Sequence, residues 1–106
     1  MSDFKLTHAA VNDLSHIWNY TFDTWSEKEA EGYYSELLLE CKRIAEDQLL
    51  GRNYEGITKS LFGRKTKKHI IFYRVISSDV VEVTRILHQR MDLKKHLESH
   101  VSKIKK

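Results

Sequence analysis

Four basic side chains in the last third of the chain have the types and spacing to grip an anionic partner. Arg74 and Arg85 each interrupt an otherwise apolar run, and His88 and Arg90 follow the second run two residues apart. An arginine inside an apolar strand needs an acidic or phosphate partner, or must border solvent. We therefore predict that these four residues contact a target through its phosphates or carboxylates.

Internal pairing is the alternative explanation for the same side chains. Arg74 and Arg85 can pair with Glu82 or with acids of the second helix predicted below, whereas Arg90 has its neighbour Asp92 for local pairing. An arginine paired inside the protein would be unavailable to a target. Both explanations stay open from the residues alone.

No other group of residues indicates an enzyme, a metal site or a cofactor site. The sequence contains no phosphate-binding loop, dinucleotide glycine motif or Gly-x-Ser-x-Gly motif. His96 and His100 would share a helix face, but Leu97 stands where the zinc-protease helix carries its glutamate. Cys41 lies on an apolar stripe, which favours a buried structural thiol. We assign no catalytic residue and predict no metal or cofactor.

Length and composition predict one domain spanning residues 1–106. The chain is 41% hydrophobic and 31% charged, which favours a compact core over disorder. The lone cysteine excludes an internal disulfide. No apolar run approaches the roughly 20 residues of a membrane span, and the polar start is unlike a secretory signal. We expect a cytoplasmic protein with no membrane partner.

The charge distribution is strongly asymmetric along the chain. Residues 1–56 contain five basic and eleven acidic residues, which gives a net charge of −6. Residues 57–106 contain thirteen basic and four acidic residues, which gives a net charge of +9. The alternative is that the terminal lysines are merely a solvated tail, which leaves most of the second half's charge unexplained. A half this basic indicates a surface for nucleic acid or an acidic protein segment.

Two amphipathic helices are predicted in the acidic half, joined with almost no loop. Thr7 can cap a helix from His8 to Trp25, and Ser26 with Glu29 forms a capping box for the next helix. Gly51 marks the predicted end of that second helix, so the hairpin covers about residues 8–50. The predicted inner faces are Val11, Leu14, Trp18, Phe22 and Trp25 on the first helix, and Ala30, Tyr34, Leu37, Cys41, Ile44 and Ala45 on the second.

The basic half is predicted to form a small antiparallel sheet over about residues 58–88. The predicted elements are strands Thr58–Thr66, His69–Ile76 and Val80–Leu87, with a short additional strand at Asp3–Leu6 and a short helix over Leu93–His100 before the lysine tail that ends the 93–106 segment. Strict alternation places Val81, Val83, Arg85 and Leu87 on one side of the last strand, and Glu82, Thr84 and Ile86 on the other. The predicted class is α+β, with a helical hairpin packed on the sheet.

With these elements in place, the chain resembles the ParE toxins of type II toxin–antitoxin modules. The resemblance is carried by Ile71-Phe72-Tyr73-Arg74-Val75 and by Arg85-Ile86-Leu87-His88-Gln89-Arg90-Met91-Asp92, with weaker matches at Leu14-x-x-Ile17-Trp18-x-Tyr20 and Leu50-Gly51-Arg52. It implies the RelE/ParE fold and a toxin that poisons DNA gyrase, arrests growth and stabilises plasmids. It also implies neutralisation by a ParD-like antitoxin encoded next to it, whose binding residues on this chain are unknown.

Two other functions compete with gyrase poisoning. A RelE-like nuclease would cut mRNA on the ribosome, with His88 and Arg90 as its catalytic groups. However, Ile70 replaces the nuclease arginine with His69 beside it, and no tyrosine follows Tyr73. The strand reading Leu61-Phe62-Gly63-Arg64 also departs from the expected Leu-Arg. A non-catalytic basic RNA-binding module is the third possibility, although Phe72 and Tyr73 cannot both face outward to stack bases.

Overall fold

Two helices lie on one face of a five-stranded sheet in the computed structural model, which describes residues 2–54, 56–57, 59–91 and 97. The elements in chain order are β1 (Asp3–Leu6), α1 (His8–Thr24), α2 (Glu27–Glu46), β2 (Arg52–Asn53), β3 (Phe62–Thr66), β4 (His69–Ser77) and β5 (Val80–His88). The predicted α+β class is confirmed. The helix predicted over Leu93–His100 lies outside the described residues, apart from Leu97.

The strand order is β1-β5-β4-β3-β2, and the sheet is mixed. β1 runs parallel to β5, with Asp3 opposite Val80 and Leu6 opposite Val83, whereas the other neighbours are antiparallel. The strands predicted over residues 58–88 are antiparallel as expected, and β1 adds a parallel edge that the prediction did not include. A parallel partner requires a long crossover connection, which the helical hairpin begins.

Both predicted helix starts are confirmed by their caps. Thr7 Oγ1 accepts a hydrogen bond from the Ala10 backbone N–H at 3.0 Å, and Ser26 Oγ accepts one from Glu29 N–H at 3.1 Å. α2 ends at Glu46, earlier than predicted, so Gly51 does not end it. Instead, Gly51 lies against Tyr73, where a Cβ atom would approach the Tyr73 hydroxyl oxygen to 2.5 Å.

The main core lies between the helices and one face of the sheet. Its fully buried members include Leu37, Ile44, Ile71, Tyr73, Val81 and Val83. A second cluster covers the opposite face and comprises Leu61, Ile70, Phe72, Leu87 and Leu97, with Tyr54 and Ile57 packed against it. The sheet is therefore covered at least in part on both sides.

The predicted inner face of α1 is wrong by part of a turn. Val11, Phe22 and Trp25 are 46%, 47% and 71% exposed, and Trp18 is only partly buried, with its ring 5.7 Å from that of Tyr34. The side that packs on the sheet is centred on Ala10, Leu14 and Ile17. Hydrophobic spacing identified the helix, but only one side of α1 has a layer to pack against.

A β-bulge at Thr84 overturns the predicted alternation of β5. Tyr73 lies opposite Val83 and Phe72 opposite Arg85, so Thr84 has no partner across the pair. Ile86 consequently joins Val81 and Val83 in the main core, and Leu87 lies in the second cluster. The extra residue reverses which side chains face the helices beyond this point.

Within the described residues, neither helix is long and apolar enough to cross a membrane.

Candidate functional site

Arg85 makes an internal ion pair with Asp13 of α1. Its Nε and Nη2 atoms donate to the two carboxylate oxygens at 2.8 and 3.0 Å, and the Ile86 backbone N–H donates to Asp13 Oδ2 at 2.9 Å. The side chains of Arg85 and Asp13 are 20% and 11% exposed. Hydrogen bonding to Asp13 raises the pKa of Arg85. The internal pairing considered above occurs, but with α1 in place of Glu82 or an acid of α2.

Arg74 lies apart from the other predicted site residues. It is half-buried opposite Glu82 in the β4–β5 register, and its Nε atom is buried without a hydrogen-bond partner in the described part of the chain. It lies five positions along β4 from His69, a distance of roughly 17 Å in an extended strand. Arg74 therefore does not share a site with the residues at the end of β5.

His88 and Arg90 lie together at the end of β5. His88 is the half-buried last residue of the strand, and its Nδ1 accepts a hydrogen bond from the Arg90 backbone N–H at 3.1 Å. The Met91 N–H donates to the His88 carbonyl oxygen at 3.0 Å, which closes the turn. The Arg90 side chain is exposed. Its possible neighbour Asp92 lies outside the described residues.

A second histidine, His69, completes this group. The imidazole rings of His69 and His88 stand perpendicular with centroids 5.2 Å apart. The Tyr33 hydroxyl of α2 lies 2.6 Å from His69 Nδ1. Burial, reinforced by the neighbouring His88, lowers the pKa of His69 to about 4, although Asp13 acts in the opposite direction. His69 is thus neutral near pH 7.

The hydrogen bond at Nδ1 assigns the tautomer of His88. This Nδ1 atom is an acceptor, because its partner is the Arg90 backbone N–H. A neutral imidazole with an accepting Nδ1 carries its proton on Nε2. The His88 ring therefore presents a donor at Nε2.

Sequence reasoning missed Asp13 and Tyr33 as members of this site. Pairing His69–Ile76 with Val80–Leu87 would have brought His69 close to His88, so that contact was within reach. The helix positions carry no comparable signal, because only the packing of α1 and α2 brings Asp13 and Tyr33 to the sheet.

Metal and thiol chemistry have no candidate groups in the described part of the chain. No cluster of three or more histidine, cysteine or acidic residues there could hold a metal ion. The His96 and His100 spacing lies outside the described residues. Cys41 is fully buried, as predicted, and burial raises the pKa of its thiol to about 12.

Comparison with solved structures shows the fold. One similar chain belongs to a structure described as a chromosomal ParDE toxin–antitoxin system from P. aeruginosa, with a TM-score of 0.71 and 16% identity over 83% of this chain and 96% of that one. Another belongs to the RelBE2 toxin–antitoxin complex of Mycobacterium tuberculosis, with a TM-score of 0.63 and 13% identity over 83% and 98% of the two chains.

Comparison with curated proteins and family models shows the family. Toxin ParE1 of Mycobacterium tuberculosis is 35% identical over 91% of this chain and 98% of its own length. Toxin ParE1 of Caulobacter vibrioides is 33% identical over 92% of this chain and 99% of its own length. The family model for the ParE toxin of the type II toxin–antitoxin system parDE matches residues 4–93. The chain belongs to the ParE toxin family and is the toxin of a ParDE-type toxin–antitoxin system.

Proposed function

We propose that this toxin poisons DNA gyrase in the cytoplasm, blocking replication without being an enzyme itself. The observation that carries the proposal is which residues stand at the positions that a nuclease would use, and how deeply they are buried. Ile70, in place of the nuclease arginine, is 6% exposed and packs in the second cluster. Tyr73, the last tyrosine in the sequence, is fully buried and donates to the Gln48 carbonyl oxygen, so it does not replace the missing nuclease tyrosine. His88 and Arg90 remain as polar groups at the accessible end of β5, where a target can reach them.

Arg74 is the third proposed target contact, at a separate point on the sheet. Its buried Nε lacks a partner among the described residues, and an incoming acceptor would supply one. Arg85 has a different role in this proposal. Because its Nε and Nη2 atoms both donate to the Asp13 carboxylate, Arg85 holds the end of β5 in place and does not contact the target.

We further propose that a ParD-like antitoxin, encoded next to the toxin, neutralises it. The similar solved structures are of ParDE and RelBE systems, and the basic second half suits an acidic segment that becomes ordered on binding. Charge complementarity predicts fast, salt-sensitive association. Affinity and on-rate measured across salt concentrations test this, and values indifferent to salt would reject the electrostatic part.

Expression in cells tests the choice of target. Induction of the toxin alone should arrest growth with filamentous cells and broken chromosomes, while protein synthesis continues at first. Co-expression with the antitoxin should restore growth, which controls for non-specific toxicity. Immediate loss of translation with intact chromosomes would instead identify the ribosome as the target.

A RelE-like mRNA endonuclease is the second candidate, favoured by the Tyr33, His69 and His88 group. A neutral imidazole beside a second imidazole and a phenol supplies groups for acid–base chemistry on a 2′-hydroxyl. Toxin incubated with translating ribosomes would then cleave mRNA, and His69→Ala and His88→Ala would abolish the cleavage. The RNA-binding module is not supported, because Phe72 and Tyr73 are both fully buried.

A further inference from the structure

The turn between β3 and β4 and the residues after β5 form one basic surface, called here the basic end. It comprises Lys67, Lys68, His69, His88 and Arg90. The Gln89 backbone N–H donates to the Lys68 carbonyl oxygen at 2.9 Å, which joins the two segments. His69 lies directly opposite His88, and the lysines and Arg90 are exposed. Residues twenty positions apart thus share one surface.

The basic end presents hydrogen-bond donors. Lysine and arginine side chains carry donors and no acceptor. In the tautomer assigned above, His88 presents an Nε2–H group as well, because the Arg90 backbone N–H occupies its Nδ1 atom. A surface of donors matches a partner that offers acceptors, as phosphate oxygens do.

Nearby acids neutralise only part of this charge. Glu36 pairs with Lys67 at 2.7 Å, and the Asp13 carboxylate is occupied by Arg85 and the Ile86 backbone. Lys68 and Arg90 have no ion pair with any other residue in the described ranges. Within the described ranges, no ion pair therefore neutralises these two positive charges.

We propose that the basic end binds the phosphodiester backbone of duplex DNA directly. DNA is favoured over an acidic peptide because peptides that fold on binding also use apolar anchors. Among the described residues, the large exposed apolar side chains lie mostly away from the basic end, for example Phe22 in α1, Trp25 at its C-cap, and Val75 and Ile76 at the far end of β4; Met91, next to Arg90, is the exception and is a single side chain. The inference rests on the proposed function in one respect, namely that the DNA bound in the cell is the duplex held by gyrase. Binding to duplex DNA itself requires no gyrase.

Fluorescence anisotropy with a labelled duplex of arbitrary sequence, without gyrase, tests this directly. Each phosphate contact contributes about 0.9 to the slope of log affinity against log salt. The double variant Lys68→Glu/Arg90→Glu should therefore lower that slope by about 2 and weaken binding at least about tenfold. Lys28→Glu/Lys42→Glu on the exposed side of α2 changes the net charge equally and should retain most of the binding.

The His88 donor has its own matched pair of variants. His88→Gln keeps an amide N–H near the position of Nε2 and should bind DNA better than His88→Leu, which keeps none. Circular dichroism confirms that each variant is folded. Equal binding by these two variants would remove the imidazole from the proposal.

Three results would overturn the inference. The first is a folded toxin that does not bind the duplex at low salt. The second is an equal loss of DNA affinity in the basic-end and α2 variants. The third is a set of basic-end variants with weakened antitoxin binding and normal DNA binding.

Gyrase cleavage assays on the same proteins separate this inference from the proposed function. Gyrase trapping by a wild-type toxin that does not bind the free duplex would count against the DNA contact alone, whereas binding of the free duplex without gyrase trapping would count against the gyrase target alone.

Discussion

The carboxylate of Asp13 and the guanidinium of Arg85 form a two-point ion pair that ties the middle of α1 to the end of β5. The same carboxylate accepts the backbone N–H of Ile86, so one side chain fixes the strand just after its bulge. His88 and Arg90 follow within five residues. The internal pair therefore orients the surface that we propose meets the target.

Arg85→Ala should destabilise the protein, since it leaves the Asp13 carboxylate largely buried without its ionic partner. We expect the free energy of unfolding to fall by about 2–3 kcal/mol in urea titrations. Glu40→Gln is a matched control for the loss of an internal ion pair elsewhere in the fold. Glu40 accepts from Arg64 at 2.8 Å and from Arg43 at 3.1 Å, but it lies away from the end of β5. Unchanged stability of Arg85→Ala together with lost toxicity would show that Arg85 contacts the target.

His88→Ala and Arg90→Ala should behave in the opposite way. Both side chains lie at the end of the sheet outside the main core, so we expect little change in stability and normal antitoxin binding. A lost charged contact to a target costs about 1.5–3 kcal/mol, or one to two decades in affinity, so growth arrest should weaken or disappear. Thermal unfolding and a toxicity assay on the same proteins decide this. Two folded and fully toxic variants would exclude this surface.

Acid should destabilise the protein through His69. Its pKa is lower in the folded protein than the ordinary 6.5, so the unfolded chain binds more protons between pH 6.5 and about 4. Stability therefore falls as the pH drops through this window, by no more than about 2 kcal/mol after allowance for solvent screening. His69→Gln should flatten this dependence in urea titrations at several pH values. A slope unaffected by His69→Gln would contradict the assignment.

Two glycines should respond to alanine with opposite signs. Gly51→Ala places a Cβ atom 2.5 Å from the Tyr73 hydroxyl oxygen, which is held by Gly51 N–H and by the Gln48 carbonyl, so the protein should be destabilised. Gly32 in α2 has open space around its Cβ position, so Gly32→Ala should stabilise the helix by up to about 1 kcal/mol. Unfolding free energies of the two variants measure this. Equal effects would mean that Tyr73 is not packed against Gly51 as described.

Local chemistry made much of this fold predictable from the sequence. Thr7 and Ser26 cap helices where their types and spacing indicated, and the β-branched run after His69 forms the central strand β4. The end of α2 and the role of Gly51 were not predictable, because they depend on the Tyr73 hydroxyl in a distant strand.

The site was harder to predict than the fold. His88 and Arg90 were recognisable from a short motif, but the partner of Arg85 lies 72 residues away on a helix whose rotation the hydrophobic pattern misplaced. The bulge at Thr84 inserts one residue into an otherwise regular strand, and the alternation of apolar and polar residues along β5 does not indicate it. Tertiary packing, which the sequence pattern does not encode locally, decides these features.

Trapping of gyrase on DNA by purified toxin is the most direct measurement of the central claim. Toxin is incubated with gyrase, ATP and supercoiled plasmid, and linear DNA is counted after detergent and protease, with mRNA on translating ribosomes as a parallel sample. We predict dose-dependent linear DNA, suppression by antitoxin, a reduced yield with His88→Ala/Arg90→Ala, and intact mRNA. Cleaved mRNA with no linear DNA would contradict the account and assign the toxin to the nuclease branch.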